Sequence, residues 1–133
     1  MFTDEEKQAI KNIFNDTEDE VEFYLDGFVV SGRVFMFSHH NILKYDKHAS
    51  ILYLPYSLKI IGNSLYPMDK TGKKIDFWYQ NKKIKTTSIE RIKEGCYDVL
   101  KMYKEALIKQ KFEKLENDFE WLYIKFYIIG IDL

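Results

Sequence analysis

The sequence predicts an α+β fold: a single globular domain over 1–133 with an N-terminal helix and an antiparallel, twisted or small-barrel-like sheet of about five to seven strands. A long helix over about 88–116 and a C-terminal strand over about 120–129 complete it. Three observations lead there. Apolar residues recur at helical spacing near both ends of the chain, the period drops to two from Val21 onward, and no Pro/Gly/Ser linker, repeat or low-complexity tract divides the 133 residues. A chain of this length buries roughly two-thirds of its unfolded surface, so a core without staples is expected. With 46% hydrophobic and 17% aromatic residues, burial can offset the ordering entropy, which excludes a disordered class.

At the N-terminus, Thr3 followed by Glu6 has the spacing of a capping box, and Asp4 and Glu5 suit the positive end of a helix dipole. Ile10, Ile13 and Phe14 give the helix over about 4–15 one apolar face, and Asn15-Asp16-Thr17 ends it. Val21, Phe23 and Leu25 then alternate with Glu22, Tyr24 and Asp26, and Asp26-Gly27 supplies a tight hairpin turn. A two-residue loop there sets Leu25 opposite Phe28, Phe23 opposite Val30 and Glu20 opposite Arg33. Val21, Phe23, Leu25, Phe28, Val30, Val34 and Met36 then face the core, while Glu20, Glu22, Tyr24, Ser31, Arg33, Phe35 and Phe37 share the other side.

Further strands are expected near Ile42–Tyr45, Ser50–Leu54, Leu58–Ile61 and Lys74–Tyr79, separated by Asp46-Lys47, Pro55, Gly62-Asn63 and Lys70-Thr71-Gly72. Thr87 with Glu90 repeats the capping-box spacing and opens the long helix. Ile89, Ile92, Cys96, Val99, Tyr103 and Ala106 form its apolar stripe, and Ile108, Phe112 and Leu115 continue on a displaced one. Gly95, which costs about 1 kcal/mol relative to Ala in a helix interior, implies close packing against a neighbouring strand. The run from Trp121 to Ile129 is almost wholly β-branched or aromatic and reads as a strand with Leu122, Ile124, Phe126 and Ile128 inward, a continuing helix being the alternative.

The formal net charge of −1 is a difference between two halves. Residues 1–26 hold nine acids against Lys7 and Lys11, leaving −7; the rest of the chain carries +6, with its basic excess concentrated between Lys70 and Lys85. The acidic N-terminus lacks the basic start of a secretory signal, and no apolar run reaches the ~18 residues a membrane span needs. A cytoplasmic protein with no membrane association is therefore expected. The single cysteine excludes an internal disulfide and a zinc site built on paired cysteines.

Chemistry-bearing residues are dispersed. His39, His40 and His48 have no metal-ligand spacing, and adjacent histidines on an extended segment point to opposite sides. Cys96 falls on the apolar stripe of a helix, where it reads as a small buried hydrophobe. No nucleophile elbow, phosphate-cradling glycine loop or dinucleotide fingerprint occurs. Neither catalysis nor a cofactor or metal is expected.

Two binding features stand out. Between Lys70 and Lys85, six lysines interleave with Phe77, Trp78 and Tyr79, a pattern that offers counterion release to phosphates and stacking platforms to bases. Arginine is scarce, with only Arg33 and Arg91, and arginine supplies the bidentate phosphate and base contacts. Separately, Val21 to Gly27, with Gly32-Arg33-Val34 and Asn41-Ile42-Leu43 downstream and Ile60 to Leu65 beyond, resembles the Sm-like pattern over about residues 4–66. That resemblance implies a small RNA-binding barrel behind an N-terminal helix. The chain departs from it at Ile61, where Arg usually precedes the glycine, and at Ser38-His39-His40, which replaces an acidic loop residue.

Elimination favours a non-catalytic protein-binding module, an inhibitor or immunity-type protein of bacterial or phage-like kind that blocks a basic toxin or nuclease. Its expected surface is Glu18, Asp19, Glu20, Glu22, Tyr24, Phe35 and Phe37. The alternative is an RNA- or single-strand-binding module using Lys73, Lys74, Trp78, Lys82, Lys83 and Lys85. Self-association through the second face of the hairpin or an open terminal strand is a further expectation.

Overall fold

A computed structural model describes residues 2–15, 17, 20–25, 27–32, 40–62, 64–75 and 81–129, with 119–129 described as backbone only. The first helix, α1 (Asp4–Ile13), is entered as its sequence requires. The Thr3 amide donates to Glu6 Oε1 at 2.9 Å, and the Glu6 amide donates to Thr3 Oγ1 at 3.1 Å. The helix stops short of residue 15 because the Phe14 amide donates to the Lys11 carbonyl, which tightens the last turn. Ile10, Ile13 and Phe14 are buried as the spacing predicts. Replacing Thr3 with alanine removes one half of a reciprocal cap and is expected to cost about 1 kcal/mol. Urea denaturation should show that loss for Thr3→Ala, with Thr3→Ser close to the parent.

Seven strands follow: β1 (Glu20–Tyr24), β2 (Gly27–Gly32), β3 (His40–Asp46), β4 (Ile51–Leu54), β5 (Ser57–Ile61), β6 (Ser64–Met68) and β7 (Lys82–Lys85). Five of them form an antiparallel sheet in the order β1-β2-β3-β4-β7, and β5 and β6 form a separate hairpin. The hairpin packs through β5 against the long helix α2 (Ile89–Ile129) and through β6 against β3. Among the described residues the larger sheet is open, with β1 and β7 as its edges, so the closed barrel implied by the Sm-like resemblance is not formed.

The first hairpin differs from expectation by a two-residue slip. Phe23 pairs with Phe28, Val21 with Val30 and Glu20 with Ser31, and the turn lies between Tyr24 and Gly27. Gly27 is therefore a strand residue. Its φ of +151° and its approach to β3, where an added Cβ would lie 1.8 Å from the Tyr45 carbonyl oxygen, require glycine. Leu25, expected in the core, sits in the turn and is 79% exposed. The expected partner of Glu20, Arg33, and the core candidates Val34 and Met36 lie outside the described residues.

Register carries the core across the sheet. Phe23, Phe28, Tyr45, Leu52 and Ile84 stand in one cross-strand row, and Val21, Val30 and Leu43 in the next. Phe28, Val30, Leu43, Tyr45, Leu52 and Leu54 are buried against α1 and α2. The Tyr45 hydroxyl donates to the Thr86 carbonyl at 2.8 Å, which satisfies its polar end at the sheet's rim.

Strands β6 and β7 depart from the predicted pattern. Pro67, which donates nothing to a ladder, stands inside β6, where its carbonyl accepts the Ile75 amide at 3.1 Å. Lys82–Lys85 has only Ile84 as an apolar member, and its lysines are what an edge strand uses to discourage further pairing. Of the strand expected over Lys74–Tyr79, Lys74 makes an isolated bridge to Met68, and residues 76–80 lie outside the described residues.

The second helix is capped by Ser88, one residue after the expected Thr87: the Arg91 amide donates to Ser88 Oγ at 3.3 Å and the Ile92 amide to the Ser88 carbonyl. Ile92, Cys96, Val99, Tyr103 and Ala106 are buried along its inner stripe. A Cβ on Gly95 would lie 2.5 Å from Leu52 Cδ2, the close helix–strand approach that this glycine predicts. The strand expected over about 120–129 is instead helix, continuous from Ile89 to Ile129. No Gly or Pro interrupts the chain between Gly95 and Gly130, and the β-propensity of these residues yields to the helix already running into them.

Candidate binding face on the open side of the sheet

The sheet's inner side covers the core; its outer side carries the exposed and half-exposed members of each strand among the described residues. On that side β1 presents Glu20, Glu22 and Tyr24, spaced by two and all exposed. The Tyr24 hydroxyl donates to Glu22 Oε2 at 3.0 Å, and this bond to a carboxylate holds the phenol above its usual ionisation range. Tyr24 is 55% exposed, so its ring is presented rather than packed. Of the sequence-predicted acidic surface, the structure brings these three together; Glu18, Asp19, Phe35 and Phe37 lie outside the described residues.

Cross-strand register extends the face beyond those residues. One row runs Glu22, Val29, Lys44, Tyr53, Lys83, and the next runs Tyr24, Gly27, Asp46, Ile51, Lys85. Acids thus stand at the β1 edge and lysines at the β7 edge of one surface. Toward the β1 edge lies a cleft of about 570 Å³, lined among others by Glu22, Tyr24, Val29, Ser31, Asn41 and Lys44. Its polar floor is tied together by Ser31 Oγ donating to Asn41 Oδ1 at 3.3 Å. Asp46 closes one end by accepting the His48 and Ala49 amides at 3.0 and 3.2 Å, which fixes the turn into β4. Sequence reasoning missed Val29, Asn41, Lys44 and Tyr53; their alternation was visible, but their place on one face with Glu22 and Tyr24 depends on register.

The basic segment is divided by the fold. Lys82, Lys83 and Lys85 are exposed on β7, with Lys83 and Lys85 on the open face and Lys82 at the strand's start. Lys73 lies in the tight loop Asp69–Lys73. There Asp69 Oδ1 accepts from the Thr71 amide, the Thr71 hydroxyl and the Lys73 amide at 2.7, 2.6 and 3.0 Å, and these bonds, led by the Thr71 hydroxyl, lower the carboxyl's pKa. Lys74 places Nζ 4.0 Å over the Tyr66 ring, which also lies against the His40 ring at a centroid distance of 4.4 Å. Trp78 and His39 lie outside the described residues.

Among the described residues no group of three or more His, Cys, Asp or Glu is placed to hold a metal ion, and no helix is long and apolar enough to cross a membrane. Cys96 is fully buried between α2 and the sheet, and burial pushes its thiol up to about 12. Its unfolded counterpart ionises near 9.0, so the stability gained by keeping it neutral is complete below that pH and is lost as pH rises from 9 toward 12. Native protein at pH 8 is expected to be inert to a thiol reagent that titrates one thiol per chain after unfolding. Cys96→Ala should flatten part of the alkaline stability loss.

Compared with protein-family models, curated proteins and solved structures, the chain matches none.

Proposed function

We propose that this protein is a non-catalytic binding module, an inhibitor or immunity-type protein that blocks a basic partner such as a toxin or nuclease with the open face of its sheet. The observation that carries the reading is the β1 edge. Glu20, Glu22 and an exposed Tyr24 line up beside a cleft of about 570 Å³, in the part of the chain where charge sums to −7. Tyrosine combines a large apolar area with a polar tip and little side-chain entropy to lose, and acids around it speed encounter with a cationic surface. The rigid sheet behind them means that little ordering is required on binding.

A photoreactive benzoyl-phenylalanine at position 24 tests this in the cells that make the protein. The expected result is a one-to-one adduct with a single basic protein, absent when the probe replaces Tyr97, which is equally exposed but on α2. Glu22→Lys should lower the affinity for that partner by about tenfold or more. The absence of an adduct from position 24, or an adduct with nucleic acid formed only by a probe at position 83, would overturn the proposal in favour of the lysine strand.

A further inference from the structure

Helix α2 carries two apolar stripes that do not face the same way. The inner one, Ile92, Cys96, Val99, Tyr103 and Ala106, is buried against the sheet and ends there. The same line continues through Gln110, Glu113 and Asn117, which are polar. The second stripe, Ile108, Phe112 and Leu115, is displaced by two positions, about 200° around a helix of 3.6 residues per turn. It is therefore turned away from the sheet. Its exposures of 55%, 63% and 51% agree, and every residue from Lys111 to Asp118 is exposed. On its inner side the stretch borders the β5–β6 hairpin through Lys109, Gln110 and Glu113, whereas its outer side displays large apolar side chains to solvent.

In sequence the stripe continues with Phe119, Leu122, Phe126 and Ile129, in steps of four and three, along backbone that is helical throughout. From Ile108 to Ile129 this is an unbroken heptad seam, with phenylalanine at each a position and leucine or isoleucine at each d position. We propose that residues 108–129 form a parallel, in-register two-stranded coiled coil with the same segment of a second copy of this chain.

Charge selects the partner and the direction. With Phe112 at a, the flanking e and g positions hold Lys109, Lys111, Glu116 and Asp118. In a parallel pair each g residue meets the e residue of the partner's next heptad, so Lys111 meets Glu116 twice by symmetry. An antiparallel pair with full overlap would set Lys111 against Lys125, and Glu116 and Asp118 each against its own copy. A shorter antiparallel overlap relieves that repulsion but places Leu122 and Phe126 against Glu105 and Lys101. Lys104 and Lys109, which meet one heptad earlier in the parallel pair, repel and mark where the seam begins.

Sedimentation equilibrium of the full chain tests the proposal. The expected mass is twice the 16.0 kDa of one chain, falling to one chain in Leu115→Glu with the far-ultraviolet spectrum of residues 2–106 retained as a cooperative melt. Lys111→Glu should weaken the dimer on the order of tenfold, and Lys111→Glu with Glu116→Lys should restore it. Because Cys96 is buried, Leu115→Cys supplies the reactive thiol for direction: parallel pairing gives a disulfide-linked dimer on mild oxidation. A mass of 16.0 kDa at all concentrations, a dimer indifferent to Leu115→Glu, or a dimer in which Leu115→Cys does not cross-link would overturn it.

Discussion

Gly27→Ala is expected to destabilise the protein by about 3–5 kcal/mol, a large share of the 5–15 kcal/mol typical of a whole domain. Two costs coincide there. The backbone is held at a φ of +151°, where an L side chain is strained, and the added methyl carbon would sit 1.8 Å from the Tyr45 carbonyl oxygen. That oxygen cannot swing aside like the end of a side chain, because it belongs to β3, which is paired with β2 on one side and β4 on the other. Relief requires β2 and β3 to separate at their ends, losing the pairing of Gly27 with Asp46 and of Phe28 with Tyr45. The adjacent Leu25→Ala should change stability by no more than about 0.5 kcal/mol, since Leu25 is exposed in the turn. Urea midpoints for the two variants check both statements. If Gly27→Ala lies within 1 kcal/mol of the parent, the close strand approach is wrong.

The same hairpin shows what could be read from the residues alone. Alternation reports which face a strand residue takes, and a slip of two residues leaves every face unchanged. Val21, Phe23, Phe28 and Val30 thus face the core as predicted, although their partners differ. Only at the turn does the slip alter an environment, which is why Leu25 moves from expected core to solvent. The candidate face was half legible for the same reason: Glu20, Glu22 and Tyr24 share a side by parity, whereas Lys44, Tyr53 and Lys83 join them only through pairings across four interfaces between strands. Helix stripes were more readable, because i, i+3 and i+4 neighbours are local and need no register; the inner stripe of α2 and the tight approach at Gly95 were both foreseen. From Trp121 to Ile129 two periods coexist. Leu122, Ile124, Phe126 and Ile128 satisfy a period of two, while Leu122, Phe126 and Ile129 satisfy the heptad spacing, and the helix already running from Ile89 decides between them. Strand β7 was unreadable because an edge strand of lysines resembles a solvated turn.

Phe28→Ala is expected to cost about 3–5 kcal/mol. Phe28 is buried beneath the candidate face, with ring centroids of Phe23, Phe2 and Tyr45 at 5.3, 5.7 and 6.2 Å. Truncation leaves a cavity whose walls are a paired sheet below, which cannot collapse into the space, and the Phe2 ring across it. Phe28→Leu keeps most of the volume and should cost less than about 1.5 kcal/mol, so the difference between the two variants reads the cavity rather than the aromatic ring. The ring's own share is measurable through Phe2, which stands edge-on to Phe28 with an interplanar angle of 65° and precedes the capped helix by a single residue. A double-mutant cycle of Phe2→Ala with Phe28→Ala should give a coupling of about 0.5–1.5 kcal/mol. Such a coupling means that the segment leading into α1 is docked on the sheet by this cluster, and that loosening either ring releases the helix from the back of the candidate face. Additive losses would instead place the anchor of α1 at Ile10, Ile13 and Phe14 alone, and a Phe28→Ala cost near 1 kcal/mol would mean that the cluster is not a packed core at all.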